Sequence, residues 1–460
     1  MTELFPKVLV IGGGPGGYVA AIRCGQLGLD TVLVEADRLG GTCLIRGCIP
    51  SKSMIEAADK YDLIAKAAKG LIHGISLEAS PKADMADVIA WKDGVVDKLN
   101  GGVTSLLRRA KVKILHGWGR FSDAKTCHVD TPDGTIIIRP EHVILATGSK
   151  PVALPNLAFD STVISSTEAL SLNSLPNRLV VVGAGYIGME LGGAFAKLGS
   201  NVTIVEAADR ILPQYDEKLV APVKKAFESK GVNFKLSAKA EAISEDGLSI
   251  TMEGGHHEIL AADKVLVTVG RAPLTEGWGL EEMAVKMDGR FVAVDEQCAT
   301  SSRNVWAIGD LVGEPMLAHK ASAQGEMVAE IIAGKRRRFD PVAIPSVCYT
   351  DPEIVCVGIG PGAHETTESV FPLAANGRAL TMGADEGGGF IRIISEKHSH
   401  RILGVQAVGR HVSELSATFT HAIENGLVLE DVAGVIHAHP TLSEAFHEAA
   451  LQGLGHAIHV

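Results

Sequence analysis

The sequence predicts an α/β chain in which one unit, a parallel sheet flanked by helices, is built twice and is followed by a separate α+β segment. Three observations carry that expectation. Residues 7–35 and 178–206 repeat one pattern: β-branched strand, glycine turn, small-residue helix, second strand, terminal glutamate. That is a βαβ unit used twice. From 341 onward the texture changes to shorter alternating strands, such as 390–394 and 402–408, with helical stretches around 414–425 and 442–454. Finally, 460 residues suit about three domains, because single cores stop growing well before that length.

Taken in order, the first βαβ unit occupies the amino-terminal end. The proline-bearing stretch 151–155 and residues 165–176 read as connecting loops, which puts a boundary near 150. After the second unit, 264–270 and 304–309 are buried-strand patterns ending at Gly270 and just before Asp310. Open α/β sheets bind ligands at such carboxyl ends. Together with the change of texture at 341, the patterns give boundaries near 150 and 341.

Composition narrows the function. Apolar residues make up 46% and charged residues 21%, so the chain should fold throughout. A net charge of −11, read as spread over both halves without a basic block, predicts no nucleic-acid partner and no anionic membrane surface. Residues 1–14 show no secretion or transit signal, and the apolar runs fall far short of the ~20 residues needed to span a bilayer. Seven cysteines are too few for a disulfide framework and point to a reducing, cytoplasmic setting. Cys24, Cys127, Cys298, Cys348 and Cys356 read as small buried hydrophobes.

The glycine turns carry the first chemistry. Gly12, Gly14 and Gly17 permit a tight turn, close approach of backbone to a pyrophosphate and close helix packing, while Glu35, eighteen residues on, can accept from a ribose. Gly183, Gly185, Gly188 and Glu206 repeat the arrangement at the same spacing. Two fingerprints imply two dinucleotides, and chains that bind two commonly pass hydride between a flavin and a nicotinamide. Glu206 would repel a 2′-phosphate, so NAD is expected rather than NADP, with Arg210 a solvated loop charge.

Between the units, residues 40–52 read GGTCLIRGCIPSK. Cys43 and Cys48 lack a second Cys or His pair at ligand spacing, which argues against a metal site; a redox disulfide is the better reading, against the alternative of two buried structural thiols. Cys48 near a helix start would have its thiolate favoured by the helix dipole. Near the carboxyl end, His439 and Glu444 occur as His-Pro-Thr-x-x-Glu, so a carboxylate can hold the tautomer of an imidazole base. No other histidine shows such a partner pattern in the sequence.

Together GGTC, GCIPSK, YIGMELG, NVWAIGD and HAHPTLSEA resemble the dihydrolipoamide dehydrogenase branch of the disulfide reductase family over essentially the whole chain. The resemblance implies an FAD domain at 1–150, an NAD domain at 151–271, a central domain completing the flavin site at 272–341 and a carboxyl-terminal domain at 342–460 that makes a homodimer. It implies that Cys43 is the interchange thiol, that Cys48 contacts the flavin, and that Lys52 and Glu190 are a charged pair beside the flavin ring. Thr42, Gly119, Thr147, Gly148, Ser149, Asp310, Met316, Leu317, Ala318 and His319 match flavin-binding positions, and Gly270 a NAD contact. His439 and Glu444 would reach into the partner subunit's active site. The implied substrates are dihydrolipoyl groups on the lipoyl domains and core of a 2-oxoacid dehydrogenase complex, leaning toward the branched-chain one.

The family usually places Asn and a small apolar residue where this chain has Ile45 and Arg46, and Arg46 is expected in solvent. Glutathione and trypanothione reductases share the cysteine pair but use NADP. Mercuric reductases usually end in adjacent cysteines, which residues 456–460 do not contain. A non-catalytic flavoprotein subunit is the alternative from another class.

Overall fold

A computed structural model describes residues 2–132, 134–384 and 387–460. Each glycine fingerprint opens from the middle of a five-stranded parallel sheet. In the first, strand Val8–Ile11 lies between Thr31–Glu35 and His142–Leu145, with Lys113–His116 and Val305–Ala307 at the edges. In the second, Arg178–Val182 lies between Asn201–Val205 and Lys264–Val267, with Asn233–Lys235 and Val163–Ile164 outside. Both central strands are buried on both faces, as continuous β-branched runs require when helices cover a parallel sheet. Strand order therefore reverses beside each central strand, where such sheets leave a crevice at the carboxyl ends.

The edge strand Val305–Ala307 shows that the first sheet is completed by chain far downstream. It delivers Asp310 and then the helix Ala318–Ile332, which packs on the fingerprint helix Pro15–Gln26. That crossing is glycine on glycine: a Cβ on Gly325 would sit 2.3 Å from the Gly16 carbonyl oxygen.

The carboxyl-terminal segment forms a five-stranded antiparallel sheet, in the order Ser346–Cys348, Glu353–Gly358, Ile402–Gly409, Phe390–Glu396, Thr366–Pro372. Helices Ser416–Glu424 and Glu444–Gly453 pack on it around Phe371, Phe419 and Phe446. The expected α/β architecture with a C-terminal α+β unit is observed.

Three local expectations need correction. The stretch 165–176 is not loop throughout: Ser166–Ala169 is a short helix, held by a capping box between Ser165 and Glu168 that the Ser-x-x-Glu spacing encodes. Cys356 is only half-buried, whereas Cys24, Cys127, Cys298 and Cys348 are buried as expected. The acidic balance also hides one basic run, 335–338, in which Lys335 and Arg337 share the buried carboxylate of Glu330 with Arg23. Among the described residues no helix is long and apolar enough to cross a membrane.

Candidate active site

A cleft of about 480 Å³ runs from Glu35 and Asp37 past the cysteine pair to Lys52 and Glu190. Gly12, Gly14, Thr42, Cys43, Cys48, Gly119, Thr147, Gly148, Ser149, Asp310, Met316 and Ala318 line it. Leu317 and His319 do not: the chain alternates here, and the His319 ring turns to the Pro345 carbonyl at 2.9 Å. At the floor, Ser149 donates to Asp310 and receives the Arg271 guanidinium at 2.8 Å.

The two fingerprints have one geometry. Gly12 and Gly183 take φ of +95° and +103°, where a side chain would be strained. A Cβ on Gly17 would meet the Gly12 carbonyl oxygen at 1.8 Å, and one on Gly188 the Gly183 oxygen at 2.1 Å. Helices Pro15–Gln26 and Tyr186–Leu198 start at Gly14 and Gly185 without a side-chain cap, so their first N–H groups are left for a ligand. Each closing glutamate accepts from its own loop: Glu35 from Gly13 N–H at 2.6 Å, Glu206 from Ala184 N–H at 2.7 Å. The second fingerprint and Gly270 lie outside the cleft, which that unit enters through Tyr186, Ile187, Glu190 and Leu191.

Residues Thr42–Arg46 make one wide π-helical turn, and Cys48 is the first residue of helix Cys48–Ala68, whose amino end Gly47 caps without a side chain. Cys43 and Cys48 are thiols in direct contact. Contact with Cys48 and burial push the Cys43 thiol up, whereas Cys43 as donor holds the Cys48 thiol below its ordinary value against burial, with Lys52 adding to the effect. The Lys52 ammonium meets Glu190 at 2.7 Å; burial opposes its charge, but Glu190 outweighs burial and the ammonium is held. The pair is thus biased apart, Cys43 toward the thiol and Cys48 toward the thiolate beside the Lys52 cation.

His439 Nδ1 lies 2.9 Å from Glu444 Oε1, and Glu444 Oε2 accepts the Thr441 N–H at 2.7 Å. Burial acts against the Glu444 carboxylate, but Thr441 and His439 keep it ionised below its ordinary range. The imidazole is largely exposed and lies outside the cleft of its own chain.

Residues 6–325 match the family model described as pyridine nucleotide-disulphide oxidoreductase, and 344–450 match its dimerisation domain. The chain belongs to this family. It is 54% identical to a dihydrolipoyl dehydrogenase of Pseudomonas aeruginosa, covering 99% of this chain and 98% of that one. It is 44% identical to a dihydrolipoyl dehydrogenase of Geobacillus stearothermophilus over 99% and 97% of the two chains. Among solved structures it is similar to LpdA of Mycobacterium tuberculosis, with a TM-score of 0.88 at 25% identity over 98% and 99% of the two chains. The HOCl-induced flavoprotein disulfide reductase RclA of Escherichia coli gives 0.86 at 26% identity over 98% and 100%.

As a family member the chain uses FAD and NAD, and its carboxyl-terminal unit makes a homodimer. The residues present fit these groups: both glycine turns are open, both helix starts are uncapped, and a carboxylate closes each loop.

Three site features were not visible in the sequence. Arg46 stays partly exposed, as expected, and pairs there with the exposed Asp37 at the Glu35 end of the cleft. Carboxylate partners are not confined to His439: His400 meets Glu430 and His459 meets Glu448, each at 2.6 Å, at separations of thirty and eleven residues that no local pattern reveals. Arg271 and Tyr349 were also missed; Arg271 directly follows Gly270, which was the available signal.

Proposed function

We propose that this chain is an NAD-dependent dihydrolipoyl dehydrogenase in which Cys43 and Cys48 form the redox disulfide and His439 of one subunit serves the cleft of the other. The observation that carries this reading is the placement of Cys43 and Cys48 in one cleft beside the Lys52–Glu190 ion pair.

The chemistry follows from those groups. His439 takes a proton from one thiol of the dihydrolipoyl group, with Glu444 holding the imidazole and stabilising the imidazolium. The substrate thiolate attacks Cys43 Sγ, a mixed disulfide forms, the Cys43–Cys48 bond breaks and Cys48 leaves as thiolate. The second substrate thiol closes the lipoyl disulfide by attack on the mixed disulfide, its proton passing to the Cys43 sulfur that leaves. Two electrons then reside on the cysteine pair, and Lys52 stabilises the charge on Cys48. When bound, FAD supplies the two-electron relay from Cys48 to NAD.

On this reading residues 1–150 and 272–341 hold FAD, with Glu35 at its ribose and Thr42, Gly119, Thr147–Ser149, Asp310 and 316–319 around it. Residues 151–271 hold NAD through Gly183, Gly185, Gly188, Glu206 and Gly270, and 342–460 form the interface. Ile436, 97% exposed three residues before His439, supports burial of this strip against a partner subunit. The substrate sits on a tethered arm of a 2-oxoacid dehydrogenase complex in the cytoplasm, where tethering raises its effective concentration.

The test is anaerobic reduction of the yellow holoenzyme by dihydrolipoamide, followed by addition of NAD. A long-wavelength thiolate-to-flavin band that disappears as NADH forms is expected. Rapid reduction by NADH but none by dihydrolipoamide would overturn the substrate.

A further inference from the structure

Two of the three groups that surround the Lys52 ammonium come from the helices already described: Cys48 from its own helix and Glu190 from helix Tyr186–Leu198. The third comes from the carboxyl-terminal unit. Tyr349, directly after strand Ser346–Cys348, places its ring 4.3 Å from Lys52 Nζ and donates its backbone N–H to Glu190 Oε1 at 2.9 Å. One residue therefore touches both members of the ion pair. Lys52 occupies Oε2 of Glu190 and Tyr349 occupies Oε1, which leaves that carboxylate one orientation. The ring lies against the ammonium, which stays partly exposed to the cleft, an arrangement that attracts a cation through the ring quadrupole.

The segment carrying Tyr349 is itself anchored to the same two helices. Two residues on, Asp351 takes Lys197 of helix Tyr186–Leu198 at 2.8 Å and Arg410 at 3.2 Å, and Lys197 also meets Asp59 of helix Cys48–Ala68. The charged groups facing Tyr349 are Lys52, Glu190, Glu353 and Glu414. Those acting on Cys48 are Cys43, Lys52 and Glu190, with Tyr18 and Tyr186 nearby. Lys52 is thus the cation through which Tyr349 reaches the thiolate.

We propose that Tyr349 is a positioning residue of the redox centre, by which the dimerisation domain holds the Lys52–Glu190 pair and so sets the electrostatics at Cys48. The inference rests on Cys48 being the thiol that faces the flavin. Its ring face matters and its hydroxyl does not, so Tyr349→Phe should behave as the parent and Tyr349→Leu should not.

The test uses holoenzyme reduced by two electrons, with the pH midpoint of the long-wavelength thiolate band as readout and the thermal unfolding midpoint as a check on folding. Tyr349→Leu should raise the band's pH midpoint by about half a unit, the size of a partly exposed cation–π contact acting through one intermediary. Tyr349→Phe should restore the parental midpoint, and the shift should vanish in a Lys52→Met background. If the leucine variant does not fold, phenylalanines of increasing fluorination at 349 replace it, and the midpoint should climb as the ring quadrupole weakens. An unchanged midpoint in Tyr349→Leu or across the fluorinated series overturns the inference, as does an equal shift in Tyr349→Phe. Absence of the band in the parent protein overturns the role of Cys48 instead.

Discussion

Gly188→Ala should separate the two halves of the reaction. The added Cβ would lie 2.1 Å from the Gly183 carbonyl oxygen and 2.6 Å from Thr268 Oγ1. The carbonyl must retreat by roughly 0.9 Å to reach even 3.0 Å, and it cannot retreat freely. Gly183 sits at φ +103°, and its own Cβ position lies 2.7 Å from the Thr268 carbonyl oxygen, so the turn is wedged against the neighbouring strand. Overpacking of this kind costs about 1–3 kcal/mol. The strain falls on the turn that presents N–H groups to the pyrophosphate, so at ~1.4 kcal/mol per decade NAD should bind roughly ten- to hundredfold more weakly. The first fingerprint is on a different sheet, so FAD should stay bound. Stopped-flow absorbance of the variant should show flavin reduction by dihydrolipoamide at the parental rate, with reoxidation by NAD impaired at subsaturating NAD. Parental NAD affinity, or loss of flavin together with NAD, would refute the assignment of one nucleotide to each turn.

Two further outcomes follow from the charges. The Asp351 carboxyl is buried, which opposes its charge, yet Lys197 and Arg410 pull it down to about 2 from 3.8. A value depressed in the folded state gives stability that is present above pH ~4 and lost as pH falls from there to about 2; it amounts to about 2 kcal/mol near neutrality. Urea midpoints followed against pH should therefore drop in the parent over that window, and Asp351→Asn should start lower and lose this component of the fall. For the base, Glu444→Gln keeps the Thr441 N–H acceptor but removes the negative charge facing His439. Turnover of dihydrolipoamide should decline about 10²-fold or more, while reduction of the flavin by NADH stays parental in rapid-mixing traces. Equal losses in both half-reactions would show that Glu444 acts on the fold rather than on the base.

What the sequence determined by itself was local. The glycine turns, the glutamates eighteen residues beyond them, the cysteine pair and the His439–Glu444 motif are legible because backbone conformation, steric closeness and short-range hydrogen bonding constrain residues near in the chain. The capping box at Ser165 and Glu168 belongs to the same class, because its Ser-x-x-Glu spacing is local. Tertiary structure alone decided which distant residues meet. Arg46 at the end of the π-helical turn meets Asp37, His459 finds Glu448 because the chain end folds back on a helix, and strand Val305–Ala307 completes a sheet begun at residue 8. The Lys52–Glu190 ion pair of the cleft spans 138 residues, and the tyrosine that touches both its members comes from a third part of the chain. Such contacts depend on how packed elements are oriented, and periodicity along one segment carries no record of the side chain that will face it from another.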